Sequence, residues 1–177
     1  FIPPLILLVL HTRLLPLRGI SKTISAGLNA RLSPPVQAGL ITALFCVVLG
    51  AMAVGRHYSF YTRMFDLGFM DQAIWNTIRG RFLEVTSNEF PYANQSRLAT
   101  HVEPIYMLFA AVYALLPHVT VLLIGQIAHT ALALVAVYLL SCDILQSKRD
   151  AVLVVLISAL YPPLQFMNIF DFHGDVL

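Results

Sequence analysis

Apolar residues in this chain fall into long unbroken runs, and one extended polar stretch separates the first run from the rest. Val36 to Val54 is the first run, long enough as a helix to cross the ~30 Å hydrocarbon core of a bilayer. Val119 to Ser141 is the second. Ala151 to Ile169 is the third, interrupted by Pro162-Pro163. The stretch 55–118 holds two shorter patterns. Leu67, Met70, Ile74 and Ile78 mark one face of a helix near 67–79 that lies flat at the membrane interface. Pro104 to Leu116 is uniformly apolar but reaches only ~20 Å as a helix, which is short of a crossing. With Tyr106 and Tyr113 as interfacial anchors it reads as a juxtamembrane or re-entrant helix. Ahead of the first run, residues 13–35 carry Arg13, Arg18, Lys22 and Arg31 with no acid. Leu17, Ile20, Ile24 and Leu28 repeat there at helical spacing, the pattern of a basic amphipathic helix on a membrane surface, ended by Pro34-Pro35. Phe1 to Leu10 is too short to span.

Composition fixes the surroundings. The chain is 58% hydrophobic and 11% charged, which a polytopic membrane protein requires and a soluble domain of this size does not. The expected fold class is therefore all-α, a polytopic transmembrane helix bundle in a lipid bilayer, multi-pass in the cell membrane. A formal net charge of +2 gives no footing for nucleic acid. Cys46 and Cys142 fall in or at the end of apolar runs, so no disulfide framework is read. The division expected is a basic cytoplasmic or interfacial segment, 1–35, and a transmembrane region, 36–177, with spans near 36–54, 119–141 and 151–169. A chain opening on Phe1 and stopping at Leu177 after a polar cluster is expected to be part of something longer. Three crossings place the basic 13–35 segment and the short loop 143–150, carrying Lys148 and Arg149, on the cytoplasmic side. The loop 55–118 and Asp171/His173 then meet on the other side.

On that topology Asp66, Asp71, His101, Glu103, Asp171 and His173 gather at one non-cytoplasmic mouth. A carboxylate there can take a proton from a hydroxyl, and histidine or arginine can hold a phosphate. Arg56, Arg63, Arg79, Arg81 and Arg97 supply cations suited to a lipid phosphate or pyrophosphate. Each residue also has a plainer reading. Asp66 fits the N-cap of the short helix, and Asp71 fits an acid paired with a loop arginine. His101 fits a cap of the next helix, and Asp171 and His173 fit interfacial polar residues. Trp75 and the tyrosines fit interface anchors better than a sugar platform. Gln126, His129 and Thr130 share a face of the second run and fit interhelical hydrogen bonding better than a proton path. Gln165 and Asn168 extend a polar stripe toward Asp171. Asn94-Gln95-Ser96 matches a glycosylation sequon, a common pattern. Spacing specifies no metal site; the cofactor stays unknown, a divalent metal being compatible with the donors but not indicated.

The run Phe65-Asp66-Leu67-Gly68 through Asp71-Gln72-Ala73-Ile74-Trp75-Asn76, then Gly80, resembles the signature of a family of bacterial and archaeal polytopic membrane proteins of uncharacterised function. His101-Val102-Glu103-Pro104-Ile105 and Asn168-Ile169-Phe170-Asp171-Phe172-His173 match its later blocks in order, so the resemblance covers 56–177. That family is in turn distantly similar to GT-C-type glycosyltransferases, such as protein O-mannosyltransferases and aminoarabinose transferases. The resemblance implies a catalytic acid in the first external loop, two juxtamembrane helices there, and a polyprenyl-phosphate sugar donor. By it Asp66 is the base, Asp71 the alternative base, and His101 lies near the lipid phosphate. Trp75, Asn76, Glu103, Asp171 and His173 complete the substrate-binding set it implies. The loop departs from such enzymes in reading His101-Val102-Glu103-Pro104 where they often show paired acids or a histidine followed by two prolines. The competing expectation is a non-enzymatic membrane protein, a transporter or an assembly component, in which the acids and His129 form a conduit or subunit contacts.

Overall fold

A computed structural model describes residues 32–86, 95–99 and 101–174. The basic helix expected over 13–35 falls almost wholly outside the described residues, as do Asn94 of the sequon and Asp175. The described chain is helical apart from one short strand pair. Its elements run α1 (Pro34–Tyr58), a π-helical turn (Met64–Gly68), α2 (Phe69–Thr77), β1 (Glu84–Val85), β2 (Gln95–Ser96), a 3-10 turn (Arg97–Ala99), α3 (Tyr106–Leu115), α4 (Thr120–Leu145), α5 (Lys148–Ala159) and α6 (Pro162–Phe170).

Pro34-Pro35 opens α1. Proline suits the first helical positions, where its missing N–H has no partner to lose and its φ is already helical. The helix is ~37 Å long at 1.5 Å per residue. It buries the line Ala38, Thr42, Phe45, Leu49 and Ala53, and leaves Val36, Leu40, Leu44, Val47 and Met52 bare. A bare apolar stripe along a whole helix is what lipid covers. In α4, likewise, Leu122, Gln126, Ile127, Thr130 and Leu134 are buried and Ile124, Leu132, Val135 and Leu139 exposed. The structure thus has two helices long and apolar enough to cross a membrane, α1 and α4. A third crossing follows if α5 and α6 count as one span bent by 50°. The bend has a local cause. A residue before proline is driven out of the helical region, and Tyr161, preceding Pro162, has ψ 114°.

By contact the chain divides into two compact units. One holds the described start of α1 to Leu44 together with 133–160. Within it α4 ends at Leu145 and α5 starts almost at once, Gln146 taking φ +51° and the Ser147 hydroxyl accepting the Asp150 N–H at 3.3 Å. That N-cap leaves Lys148 and Arg149 in the first helical turn instead of in a loop. The face Ala151, Val152, Val155, Ser158 and Ala159 is buried at helical spacing.

The other unit holds 45–132 and 161–174 of the described chain, and carries the candidate chemistry. Here α2 packs against α3 and against β1. Its core is Leu67, Met70, Ala73, Ile74, Leu83, Tyr106, Phe109 and Phe172, with Phe172 fully buried 5.1 Å from Phe109 and 6.0 Å from Tyr106, ring to ring. Antiparallel β1 and β2 pair Glu84 with Ser96 and Val85 with Gln95. The turn leading into β1 passes through Gly80 at φ +81°, a conformation side chains resist. At Gly125 a side chain would run into the Phe109 ring, so the glycine lets α3 press directly on α4.

Candidate functional site

The chain leaves α1 at Tyr58 and re-enters helical geometry through a single π turn, in which the Gly68 N–H reaches back to the Arg63 carbonyl at 3.3 Å. The wide turn adds one residue to the helical circuit, a distortion that recurs at functional sites because it re-aims side chains. Asp66 sits inside this turn and caps nothing, so its expected N-cap role is corrected: α2 begins at Phe69 with no side-chain cap. The Asp66 carboxylate instead meets the His173 Nε2 at 3.3 Å, both side chains more than a quarter exposed.

His173 is held from several directions. Its ring stacks on Phe170 with centroids 5.7 Å apart, and its Nδ1 lies 3.3 Å from the Asp171 carbonyl. Both ring nitrogens thus face an acceptor, the Asp171 carbonyl at Nδ1 and the Asp66 carboxylate at Nε2. Phe170 also gathers both nearby arginines, with the Arg56 and Arg63 guanidinium carbons 5.6 and 5.5 Å from its ring centre. Arg56 is committed to structure, donating to the Phe170 carbonyl at 3.0 Å and the Tyr61 carbonyl at 2.9 Å. The Arg63 guanidinium is exposed and has no hydrogen bond or ion pair among the described residues.

Asp171 lies beneath, 1% exposed. Its Oδ2 accepts the Arg63 backbone N–H at 3.2 Å, and Oδ1 has no partner among the described residues. Burial raises the pKa of this carboxyl, the Arg63 N–H and the Arg56 charge oppose the rise, Asp66 adds to it, and His173 opposes it.

Asp71 stands apart from that group. It accepts the Tyr113 hydroxyl at 2.6 Å, so its direct partner among the described residues is a phenol rather than a loop arginine. Burial first, and then this bond, raise the Tyr113 pKa. Trp75 meets Tyr113 edge to face and carries the Arg79 guanidinium 3.3 Å from its ring centre. One face of the indole is therefore already occupied. Asn76 is buried, donating to the Glu84 carbonyl at 2.8 Å and accepting from Arg81, which ties the end of α2 to β1.

His101 is exposed, its backbone N–H bonded to the Arg97 carbonyl at 3.0 Å. Glu103 is buried against Arg97 at 3.3 Å. Burial and then Glu103 push up the pKa of Tyr106, whose hydroxyl lies 2.8 Å from the Met70 sulfur. Any side chain at Gly174 would strike the Glu103 carboxylate and the Tyr106 hydroxyl. Glu103 is thus the floor on which the segment after His173 rests. Of the candidates, then, Asp66, Asp171 and His173 come together, with Arg63 added. Asp71, Trp75 and Asn76 form a second group along α2, and Glu103 belongs to a buried ion pair. Among the described residues no three His, Cys, Asp or Glu side chains are placed to hold a metal ion.

The residue that sequence reading undervalued is Gln126. It is fully buried, and its amide donates to the Met167 and Asp171 carbonyls at 3.1 Å each and accepts the His173 N–H at 2.9 Å. Thr130, a turn further on, donates to Asn168 at 2.9 Å. These bonds fulfil the interhelical role read from their shared face; His129 has no such bond among the described residues and lines an apolar cavity of ≈ 220 Å³ with Phe109, Val112 and Leu132. The available signal was an amide in an apolar run, which needs partners in a membrane.

No curated protein and no solved structure matches the chain. A family of membrane proteins, described as "Predicted membrane protein (DUF2079)", matches residues 56–177, the stretch running from Arg56 through the π turn to His173 and beyond. With two helices of membrane-spanning length in a chain matched over most of its residues, this is a multi-pass membrane protein belonging to the DUF2079 family.

Proposed function

We propose that this chain serves the transfer of a sugar from a polyprenyl-phosphate donor to a hydroxyl acceptor at the non-cytoplasmic membrane face, in the manner of a GT-C-type glycosyltransferase. The observation that carries the reading is the part-exposed Asp66–His173 contact at 3.3 Å, with the exposed Arg63 guanidinium over the Phe170 ring on which His173 stacks. In this scheme Asp66 takes the acceptor proton as the acceptor oxygen bonds to the anomeric carbon. The bond from that carbon to the phosphate oxygen breaks, and polyprenyl phosphate leaves with the electron pair. Asp66 later releases that proton to solvent, His173 Nε2 holds the Asp66 carboxylate in place, and Arg63 neutralises the departing phosphate. The configuration at the anomeric carbon inverts. Asp71 keeps its bond to Tyr113 and takes no part. Trp75 and Asn76 shape α2 rather than contact substrate, and Asp171 sits beneath the site rather than in it. In the full-length protein, release of radiolabelled hexose from a polyprenyl-phosphate hexose should fall ~10²–10⁴-fold in Asp66→Asn and by far less in Asp71→Asn. Transfer retained in both variants sinks the mechanism.

One observation favours a transporter instead: α5 and α6 form a pair broken by 50°, and transporters build midplane sites from discontinuous helices. A transporter would move solute into proteoliposomes without releasing polyprenyl phosphate, and would lose that movement when Pro162 and Pro163 are both changed to alanine.

A further inference from the structure

The segment 167–173 leaves α6 by an abrupt route. After Phe170 the chain goes fully extended at Asp171, φ −161° and ψ −177°, before His173 turns back toward Asp66. A helix end of this kind strands carbonyls that its own backbone cannot pair. Asp171 is 1% exposed and Phe172 is fully buried, so water does not pair them cheaply here. One side chain on another helix resolves this. Gln126 gives both amide hydrogens, to the Met167 and Asp171 carbonyls, and takes the His173 N–H on its oxygen. Two acceptors and one donor face the amide, so its orientation is unambiguous.

We infer that Gln126 is the positioning residue of the site: it fixes the Asp171 carbonyl and the His173 backbone, and so turns the His173 ring to present Nε2 to Asp66. The Asp171 carbonyl held by Gln126 is the same one that faces His173 Nδ1. Orientation thus passes from a fully buried amide in α4 to the imidazole and on to the carboxylate. Phe172 packs between Tyr106 and Phe109, and Gly174 rests on Glu103 and Tyr106, which anchors the segment but does not choose the ring's direction. Only a group with two donors and one acceptor fits here. A carboxylate offers no donor, and an apolar side chain offers nothing. The inference extends the proposed function, yet the geometry it concerns does not depend on what is transferred.

The test uses full-length protein in detergent and the rate at which diethyl pyrocarbonate modifies His173, resolved by peptide mass spectrometry at one pH. Gln126→Leu should raise that rate at least fivefold while His57 and His118 react as before. Gln126→Glu keeps the acceptor for the His173 N–H but loses both donors, so a smaller rise of about twofold is expected, and it covers the case in which the leucine variant does not fold. Thr130→Val removes a neighbouring buried bond between the same helices and should leave His173 reactivity within a factor of 1.5. Equal rises in Thr130→Val and Gln126→Leu, or no rise in either Gln126 variant, overturn the positioning role. If transfer is measurable, Gln126→Leu should lower kcat and leave KM. A protein without transfer activity in which His173 still responds to Gln126 alone would sink the proposed function and keep this inference.

Discussion

Asp171 carries a pH dependence whose sign follows from its surroundings. Burial raises its carboxyl above the aspartate range of about 4, so the folded protein binds the proton more tightly than the unfolded chain does. The stabilisation this provides is complete below the unfolded value and is lost as pH rises through the raised native value. Asp171→Asn keeps an oxygen for the Arg63 N–H and cannot ionise. It should flatten the dependence of thermal midpoint on pH across that window, and should be at least as stable as the parent at pH 7. A parent whose midpoint rises with pH there would refute it. Glu103 differs, because its carboxylate is held against Arg97 in a buried pair. Glu103→Gln removes the charge from that pair and should cost about 1–3 kcal/mol, read as a lowered midpoint in detergent. Neither environment was legible in the sequence. Asp171 and Glu103 both looked like polar residues at a mouth, since partners 108 and 6 positions away leave no mark on local spacing.

Elements were far more legible than contacts, because apolar runs and prolines act locally. The runs at 36–54 and 119–141 correspond to α1 and α4, each somewhat longer than its run, and Pro162-Pro163 falls where the α5–α6 pair bends. The short apolar stretch at 104–116 is α3, too short to cross. What periodicity could not register was the π turn, whose extra residue per circuit resembles an irregular loop when read at 3.6 residues per turn. Helix contacts need small residues at particular points, and the structure separates two glycines that look alike in sequence. Gly125 faces the Phe109 ring, whereas Gly39 has open space around it. Gly125→Ala should therefore overpack α3 against α4 and lower stability by about 1–3 kcal/mol. Gly39→Ala should be neutral or slightly stabilising through better helix propensity. Equal midpoints for the two variants would show that α3 does not press on α4 as described.

At the scale of the molecule the question is which ends of the helices meet the same aqueous side. In the topology we propose, α1 crosses and puts Ser59, just past its end, on one face of the bilayer. On that proposal the chain stays on that face through α2 and α3, since α3 at ~15 Å is half a core thickness. Crossing by α4 takes it from Thr120 to the opposite face at Gln146, where Lys148 and Arg149 follow and the positive-inside rule favours the cytoplasm. The exposed aromatics Tyr58, Phe60, Tyr61 and Phe65 beside the site suit a headgroup boundary on the first face. With Cys46 and Cys142 replaced, single cysteines at Ser59 and Gln146 in the full-length protein should behave oppositely toward a membrane-impermeant thiol reagent on intact cells. Ser59→Cys should label without permeabilisation, and Gln146→Cys only after it. The reverse pattern would turn the Asp66–His173 site to the cytoplasm, away from a donor presented outside. Labelling of both on intact cells would mean that α4 does not cross, and a buried amide such as Gln126 would then need no membrane to explain the partners it has found.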